Sequence, residues 1–317
     1  MEEGTVTCNS RKNYEYTAFG LCIQSEIKLN ELIKITDKTS DAQVTIAYKN
    51  LTDNWKDIET GGRDFYFQNN RCLFLIPNVG IFAVLNGTKI FVSPFKDTEE
   101  DQIRLYVLGT CMGAILFQRK ILPLHGSAIA IDGKAYAIVG DSGAGKSTTA
   151  SALLQRGFQL ISDDVIPVTI SENNVPMVTP AYPQQKLWKE SLHEFGMDME
   201  GFKPIVQREN KFAVPVLSQF VHDRLPLAGI FELRKTREEK VVLSPIEKLQ
   251  RFQTVYNHTY RNFFMEGTDL MSWHFQMSVN IINNVQLYEI KRPVSSFTAN
   301  EVTEKILSTI KEVQTVG

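Results

Sequence analysis

Gly140-Asp141-Ser142-Gly143-Ala144-Gly145-Lys146-Ser147 follows the apolar run Ala135-Tyr136-Ala137-Ile138-Val139 and precedes the helix-compatible segment Thr148 to Gln155. The octapeptide fits G-x-x-x-x-G-K-[ST], and the strand before it and helix after it are the context that this phosphate-binding motif needs. Its glycines allow successive backbone N–H groups to turn toward phosphate oxygens with no Cβ in the way. The helix that follows adds the partial positive charge of its N-terminus. Lys146 is expected to reach the β- and γ-phosphates, and the Ser147 hydroxyl to ligate Mg²⁺. The stretch therefore predicts a nucleoside triphosphate site.

The second informative pair lies downstream. Phe158 to Ile161 reads as a strand that ends in Ser162-Asp163-Asp164. Phosphoryl transfer needs acids for two tasks, holding the metal and orienting or deprotonating the attacking group. Neighbouring residues of an extended chain point opposite ways, so the two aspartates are expected to have different tasks. His125, before Gly126 in the apolar stretch Leu122 to Ile131, is a third candidate. On its chemistry alone it is as readily a structural hydrogen-bonder as a catalyst.

The chain has 317 residues, enough for one large or two ordinary domains, and is 43% hydrophobic and 22% charged, as globular proteins are. A net charge of −2 gives no electrostatic case for a nucleic acid or membrane partner. Cys8, Cys22, Cys72 and Cys111 show no metal-type or disulfide-type spacing, so reduced thiols are expected. The N-terminus is acidic and polar, unlike a signal peptide, and no apolar run is long enough to span a bilayer. A cytoplasmic protein is the expectation.

Residues 1–97 read as a smaller β-rich domain, and the best hairpin signal is Asn86-Gly87 between Ile81–Leu85 and Lys89–Val92. The spacing predicts a helix over 98–119, capped by Thr98-x-x-Asp101, with Leu108, Cys111, Met112, Ile115 and Leu116 toward a core. Beyond it, alternating strands and helices predict an α/β catalytic domain over 98–317. His125-Gly126 is expected to break the strand over 122–131. The proline-studded stretch 176–226 reads as irregular, substrate-facing loops. Glu232 to Lys240 reads as a solvated charged face, and Thr298-x-x-Glu301 as the cap of a closing helix packed through Val302, Ile306, Ile310 and Val313. Other triphosphate-binding classes fit poorly: Asn210-Lys211-Phe212-Ala213 lacks the Asp of a guanine motif, and no transporter-type signature is present.

Leu124-His125-Gly126-Ser127, the phosphate loop, and Leu160-Ile161-Ser162-Asp163-Asp164, in that order and spacing, resemble the catalytic core of the HPr kinase/phosphorylase family. Phe212-Ala213-Val214-Pro215-Val216 and the strand at Leu227 are similar to it more loosely. The opening Tyr16 to Glu26 looks like a divergent branch with an extra N-terminal domain, found with lasso-peptide biosynthesis. The resemblance implies the α/β P-loop fold of HPr kinase/phosphoenolpyruvate carboxykinase type and a serine kinase acting on the C-terminal Ser of a precursor peptide. It implies Asp164 as base for the substrate hydroxyl, Asp163 as support for metal or water, and His125 beside the transferred phosphate. Arg208 and Lys211 are candidates for contact with substrate phosphate or peptide carboxylate, and a homo-oligomer is allowed. Two departures stand out. Thr148 replaces the acidic residue that usually follows the loop, and Gln184 to Glu190 lacks the Leu-Glu-Val-Arg-Gly-type stretch of the classical enzymes. Both point away from HPr as substrate. A kinase of free serine and a nucleotide-gated peptide-binding module are the competing expectations.

Overall fold

The computed structural model describes residues 12–36, 41–58, 64–68, 70–206, 208–266 and 268–316. Eight strands form the N-terminal sheet, in the order Ile33–Lys34, Tyr14–Ala18, Leu21–Ser25, Val44–Tyr48, Lys89–Pro94, Gly80–Leu85, Arg71–Ile76 and Phe65–Gln68. The predicted Asn86-Gly87 turn is present with both φ angles positive, 54° and 65°, the type I′ geometry whose twist matches the paired strands.

The predicted helix over 98–119 runs from Glu100 to Gln118, but its middle turn, Val107–Cys111, is a π-helix. Its cap differs from the expectation. Glu99 and Gln102 form the capping box, while the Thr98 hydroxyl donates to Val79 O at 2.8 Å and ties the helix start to the sheet. Val107, Cys111, Met112, Ile115 and Leu116 are buried in one core with Tyr16, Phe74, Phe82 and Ile90 of the sheet. The apolar stripe thus serves packing, as its helical spacing suggests.

A seven-stranded sheet organises the rest, in the order Lys134–Gly140, Leu122–Ile131, Gln159–Ile170, Pro176–Val178, Leu225–Thr236, Gln286–Pro293 and Val242–Pro245. Lys134–Gly140 also pairs in parallel with Leu225–Thr236, which closes the first five strands into a ring. Side-chain alternation along the strand before the phosphate loop builds two cores. Ala135, Ala137 and Val139 face helices Leu249–Asn257 and Leu270–Asn284 through Val255, Met277 and Ile281. Tyr136 and Ile138 face helices Lys146–Gln155 and Ala299–Val316 through Leu153, Leu154, Val302 and Ile306. The arrangement is mixed α/β.

Several sequence expectations need correction. Leu122–Ile131 is continuous through His125-Gly126, and Gln159–Ile170 continues past Asp163-Asp164. Both strands survive because each pairs along most of its length with the other, so backbone hydrogen bonding overrides the local break signals. Within 176–226, Gln184–Trp188, Arg208–Pro215 and Lys203–Ile205 make a small antiparallel sheet in place of the expected loops. Glu232 is buried, where His258, Thr254 and Arg234 bond its carboxylate at 2.8, 3.2 and 3.1 Å. In the closing helix Val302, Ile306 and Ile310 are buried as expected, but Val313 is exposed and the buried Thr298 hydroxyl makes no cap bond. Cys72 and Cys111 are buried free thiols, while Cys8 lies outside the described residues. Among the described residues no helix is long and apolar enough to cross a membrane.

Helix Leu270–Asn284 holds a buried histidine with a defined tautomer. The Thr259 hydroxyl donates to Val255 O at 2.8 Å, so His274 Nε2–H donates to that hydroxyl oxygen, also at 2.8 Å. Burial pushes the His274 pKa down to about 4. A depressed pKa contributes stability that is complete above the unfolded value near 6.5 and is lost as the pH falls toward the folded one. From pH 7 to pH 5 this residue is expected to remove about 2 kcal/mol of stability. Denaturant titrations at the two pH values check this, because His274→Gln should flatten that part of the dependence.

Candidate functional site

The phosphate loop leaves the strand Lys134–Gly140 and enters helix Lys146–Gln155, the order predicted from the sequence. Its glycines are required sterically, beginning with Gly140, where a Cβ would lie 2.5 Å from Leu233 O. Gly143 and Gly145 have φ of 76° and 102°, and a Cβ at Gly145 would lie 3.1 Å from the Arg292 guanidinium. Arg292 stitches the loop from outside, donating from Nε to Ala144 O at 2.5 Å and from its terminal nitrogen to Gly143 O at 3.3 Å. Lys146 is buried and folded back into the loop, donating to Gly140 O at 2.8 Å and Asp141 O at 3.1 Å. Burial lowers its pKa, against the opposing pull of Asp164 and Asp163. An ammonium already desolvated among loop carbonyls exchanges weak acceptors for phosphate oxygens when a triphosphate enters.

Asp163 sits directly across from the loop. Its Oδ1 accepts from Ser127 Oγ at 2.5 Å and Ser147 Oγ at 3.0 Å, and its Oδ2 accepts from the Lys186 N–H at 2.8 Å. Hydroxyl and carboxylate oxygens are the hard donors that Mg²⁺ takes. Among the described residues no group of three His, Cys, Asp or Glu side chains is gathered for a metal. The remaining positions would therefore fall to phosphate and water oxygens, the usual coordination of Mg²⁺. The donor set fits the ion.

The Asp164 carboxylate takes different partners from Asp163. Asp164 pairs in register with Gly126, where a Cβ would lie 2.3 Å from Ile138 O, so only glycine allows this close stacking of strands. Its own φ is 75°, a strained left-handed conformation of the kind that clusters at functional sites. The carboxylate is held from two sides. Lys186 Nζ lies 2.6 Å from Oδ2, and His125 Nδ1 lies 3.6 Å from Oδ1 and 3.0 Å from the Asp164 carbonyl. Burial alone would raise the Asp164 pKa, but the adjacent Lys186 ammonium outweighs it and holds the group well below the usual carboxylate range. His125 is itself pushed down by burial, so a neutral ring donates Nδ1–H to the Asp164 carbonyl.

These groups open into one cavity of about 760 Å³. Arg292, bonded to the loop, lines this cavity with Ser191, Phe297 and Thr298; Tyr260, with its ring 5.8 Å from that of His125 and its hydroxyl against Gly109, lines it with Tyr106, Thr110 and Arg261; Asp164 and Lys186 face the same space. Lys211 lines the cavity with its ammonium 5.6 Å from the Trp188 ring, whereas the Arg208 side chain lies outside the described residues. Asp141 and Ser142 are exposed at the mouth of the loop, and Thr148 Oγ1 lies 2.9 Å from Ser191 Oγ.

Sequence reasoning missed Lys186, Tyr260, Arg261 and Arg292. Lys186 stands at an alternate position of a short strand, and its polar type among Gln185 and Leu187 was the one signal that could have raised it. Glu190, from the stretch that departs from the classical pattern, also lines the cavity.

Residues 119–187 match the family profile described as the HPr Serine kinase C-terminal domain. The chain is 42% identical over 64 residues to the HPr kinase/phosphorylase of Mycoplasmopsis pulmonis, covering 20% of this chain and 21% of that one. It is 32% identical over 101 residues to the HPr kinase/phosphorylase of Lactobacillus gasseri, covering 29% and 32%. The chain thus spans between a fifth and a third of the length of these relatives. The solved Hpr(Ser) kinase/phosphatase from Coxiella burnetii aligns over 62% of this chain and 99% of its own, at 16% identity and a TM-score of 0.34, too distant a likeness to define the fold. The matched segment carries His125, the phosphate loop, both aspartates and Lys186, and over it the chain is similar to the C-terminal domain of the HPr kinase/phosphorylase family.

Proposed function

We propose that this protein is an ATP- and Mg²⁺-dependent serine kinase whose acceptor is a peptide, with the C-terminal Ser of a lasso-peptide precursor as the preferred form. The observation that carries the reading is the placement of Asp164, anionic and held by Lys186 and His125, in the same cavity as the phosphate loop. The family profile matched over 119–187 and the names of the similar proteins support it.

In this reading the triphosphate lies along the loop, with its nucleoside toward Phe297 and Thr298. Lys146 leaves the loop carbonyls and neutralises charge on the β- and γ-phosphates. Ser147, with Asp163 behind it, would hold Mg²⁺, whose charge would offset that of the transferring phosphoryl group. The serine hydroxyl approaches from the Tyr260 end, and Asp164 Oδ1 accepts its hydrogen bond. A carboxylate of such low basicity does not remove the proton at rest. It orients the hydroxyl and takes the proton late, once the oxygen–phosphorus bond has begun to form and the hydroxyl has become acidic. His125 fixes Asp164 through its backbone carbonyl.

Incubation with ATP, Mg²⁺ and either a peptide ending in serine or free serine tests the reading by mass spectrometry. A phosphate-sized mass gain on the peptide is expected. A gain on free serine alone would move the assignment to an amino-acid kinase. ATP binding with no gain on either would leave a nucleotide-gated binding module.

A further inference from the structure

The acceptor end of the cavity contains a cation that the transfer chemistry above does not use. Arg261 has φ 49° and ψ 51°, a left-handed conformation that costs an arginine energy. Its guanidinium carbon lies 5.6 Å from the Tyr260 ring, 5.9 Å from Phe65 and 6.0 Å from Phe263, so three aromatic faces hold it in place. Its polar contact is Nε to Tyr260 Oη at 3.5 Å, and among the described residues no carboxylate pairs with it. A planar fork held in strained backbone by three rings, without a counter-ion, is suited to bind an anion from solution.

Its position relative to the transfer centre is fixed by main-chain bonds. The His125 N–H donates to His258 O at 2.7 Å, and the Tyr260 N–H donates to Pro123 O at 2.8 Å. The segment carrying Arg261 is thereby locked onto the strand that carries His125. The Tyr260 ring lies 5.8 Å from the His125 ring, so one aromatic ring separates the arginine from the group that holds Asp164. The opposite wall is the π-turn of the N-terminal helix. A Cβ at Gly109 would lie 3.1 Å from Tyr260 Oη and one at Gly113 2.9 Å from its ring, so both glycines let the helix close down on Tyr260. Single π-turns within α-helices are frequent at functional sites.

The geometry points to Arg261 as the residue that binds a carboxylate of the acceptor, in the same cavity as the Asp164 that meets its hydroxyl. A terminal serine and free serine share that chemistry. An internal serine, whose carboxyl is an amide, lacks it. This inference rests on the kinase reading and gives the N-terminal helix a share in acceptor recognition.

The test compares a synthetic decapeptide ending in serine as its free acid, the same peptide as its amide, and free L-serine. With the wild-type protein, amidation is expected to raise KM about 10- to 100-fold, the weight of one charged hydrogen-bonded pair. Arg261→Gln should raise KM for the acid by a similar factor and treat acid and amide alike, with ATP affinity unchanged. Arg261→Lys should recover part of the discrimination. Peptide over free serine would assign the carboxylate to a chain terminus, and the reverse to the amino acid; either supports the inference. Equal use of acid and amide by the wild-type protein overturns it while the kinase reading stands, and this arm needs no variant to fold. Discrimination that persists in Arg261→Gln also overturns it. ATP binding without phosphorylation of any of the three defeats the kinase reading, and the inference with it.

Discussion

Asp164→Asn is expected to bind ATP about as tightly as the wild-type protein and to transfer phosphate about 10²- to 10⁴-fold more slowly, the usual weight of a positioned general base. The two halves of the expectation come from different contacts. Asp164 makes no hydrogen bond to the phosphate loop, whose lysine is held by Gly140 and Asp141 carbonyls and whose Ser147 is held by Asp163. Nucleotide affinity should therefore survive. Transfer should not, because an amide is acceptor on one side only and cannot take a proton from the hydroxyl. The variant also leaves the Lys186 ammonium facing a neutral partner in a buried place, which should cost about 2–3 kcal/mol of stability, below the full cost of breaking a buried pair because the amide oxygen still accepts. Nucleotide titration, single-turnover transfer and thermal melting together separate these effects. Wild-type transfer by Asp164→Asn would remove this residue from the base role.

Lys186→Met should have the second-largest effect, and for a different reason. Lys186 holds both aspartates at once, through its backbone N–H to Asp163 and its ammonium to Asp164. Methionine preserves the strand and the backbone bond but removes the ammonium. Asp164 then loses the contact that fixes Oδ2 and the charge that offsets its burial, so Oδ1 no longer has a defined direction. A displacement of about 1 Å at a reacting group can cost 10²-fold in rate, and a loss of that order in kcat is expected with little change in ATP affinity. Stability should fall by about 3 kcal/mol, since an uncompensated carboxylate remains in a mostly buried site. Lys186→Arg should restore stability more fully than rate, because the guanidinium keeps the charge at a different reach. If Lys186→Met loses stability alone and keeps kcat, Lys186 is a fold element and not a positioning residue.

The two variants also mark where sequence reading works and where it stops. The phosphate loop, the Asn86-Gly87 hairpin and the core stripe of the N-terminal helix were legible because each is a local device. Its residues fix backbone angles or a burial period within a few positions. Asp163 and Asp164 were legible as a pair whose carboxylates take different partners, but their placement at a strand end was not correct. The strand runs on to Ile170 because its partner Leu122–Ile131 supplies hydrogen bonds that no local signal reports. Lys186 and Arg261 were illegible for a related reason. Each acquires its chemistry from a partner far away in sequence: Asp164 for the first, Phe65 for the second. The prolines over 176–226 suggested loops, yet they flank a small sheet that delivers Lys186 and Lys211 to the cavity. Proline restricts the strand edges it occupies and leaves the pairing between them intact.

The central claim is that the phosphate loop and Asp164 form one transfer site with a serine hydroxyl as acceptor. Single-turnover reaction of the wild-type protein with ATP labelled in its terminal phosphate, Mg²⁺ and a peptide ending in serine tests it most directly. The label is expected on the serine oxygen, in amounts that follow the enzyme concentration, with little released as inorganic phosphate. Label appearing as inorganic phosphate at a rate unchanged by the peptide, with none on serine, would contradict it.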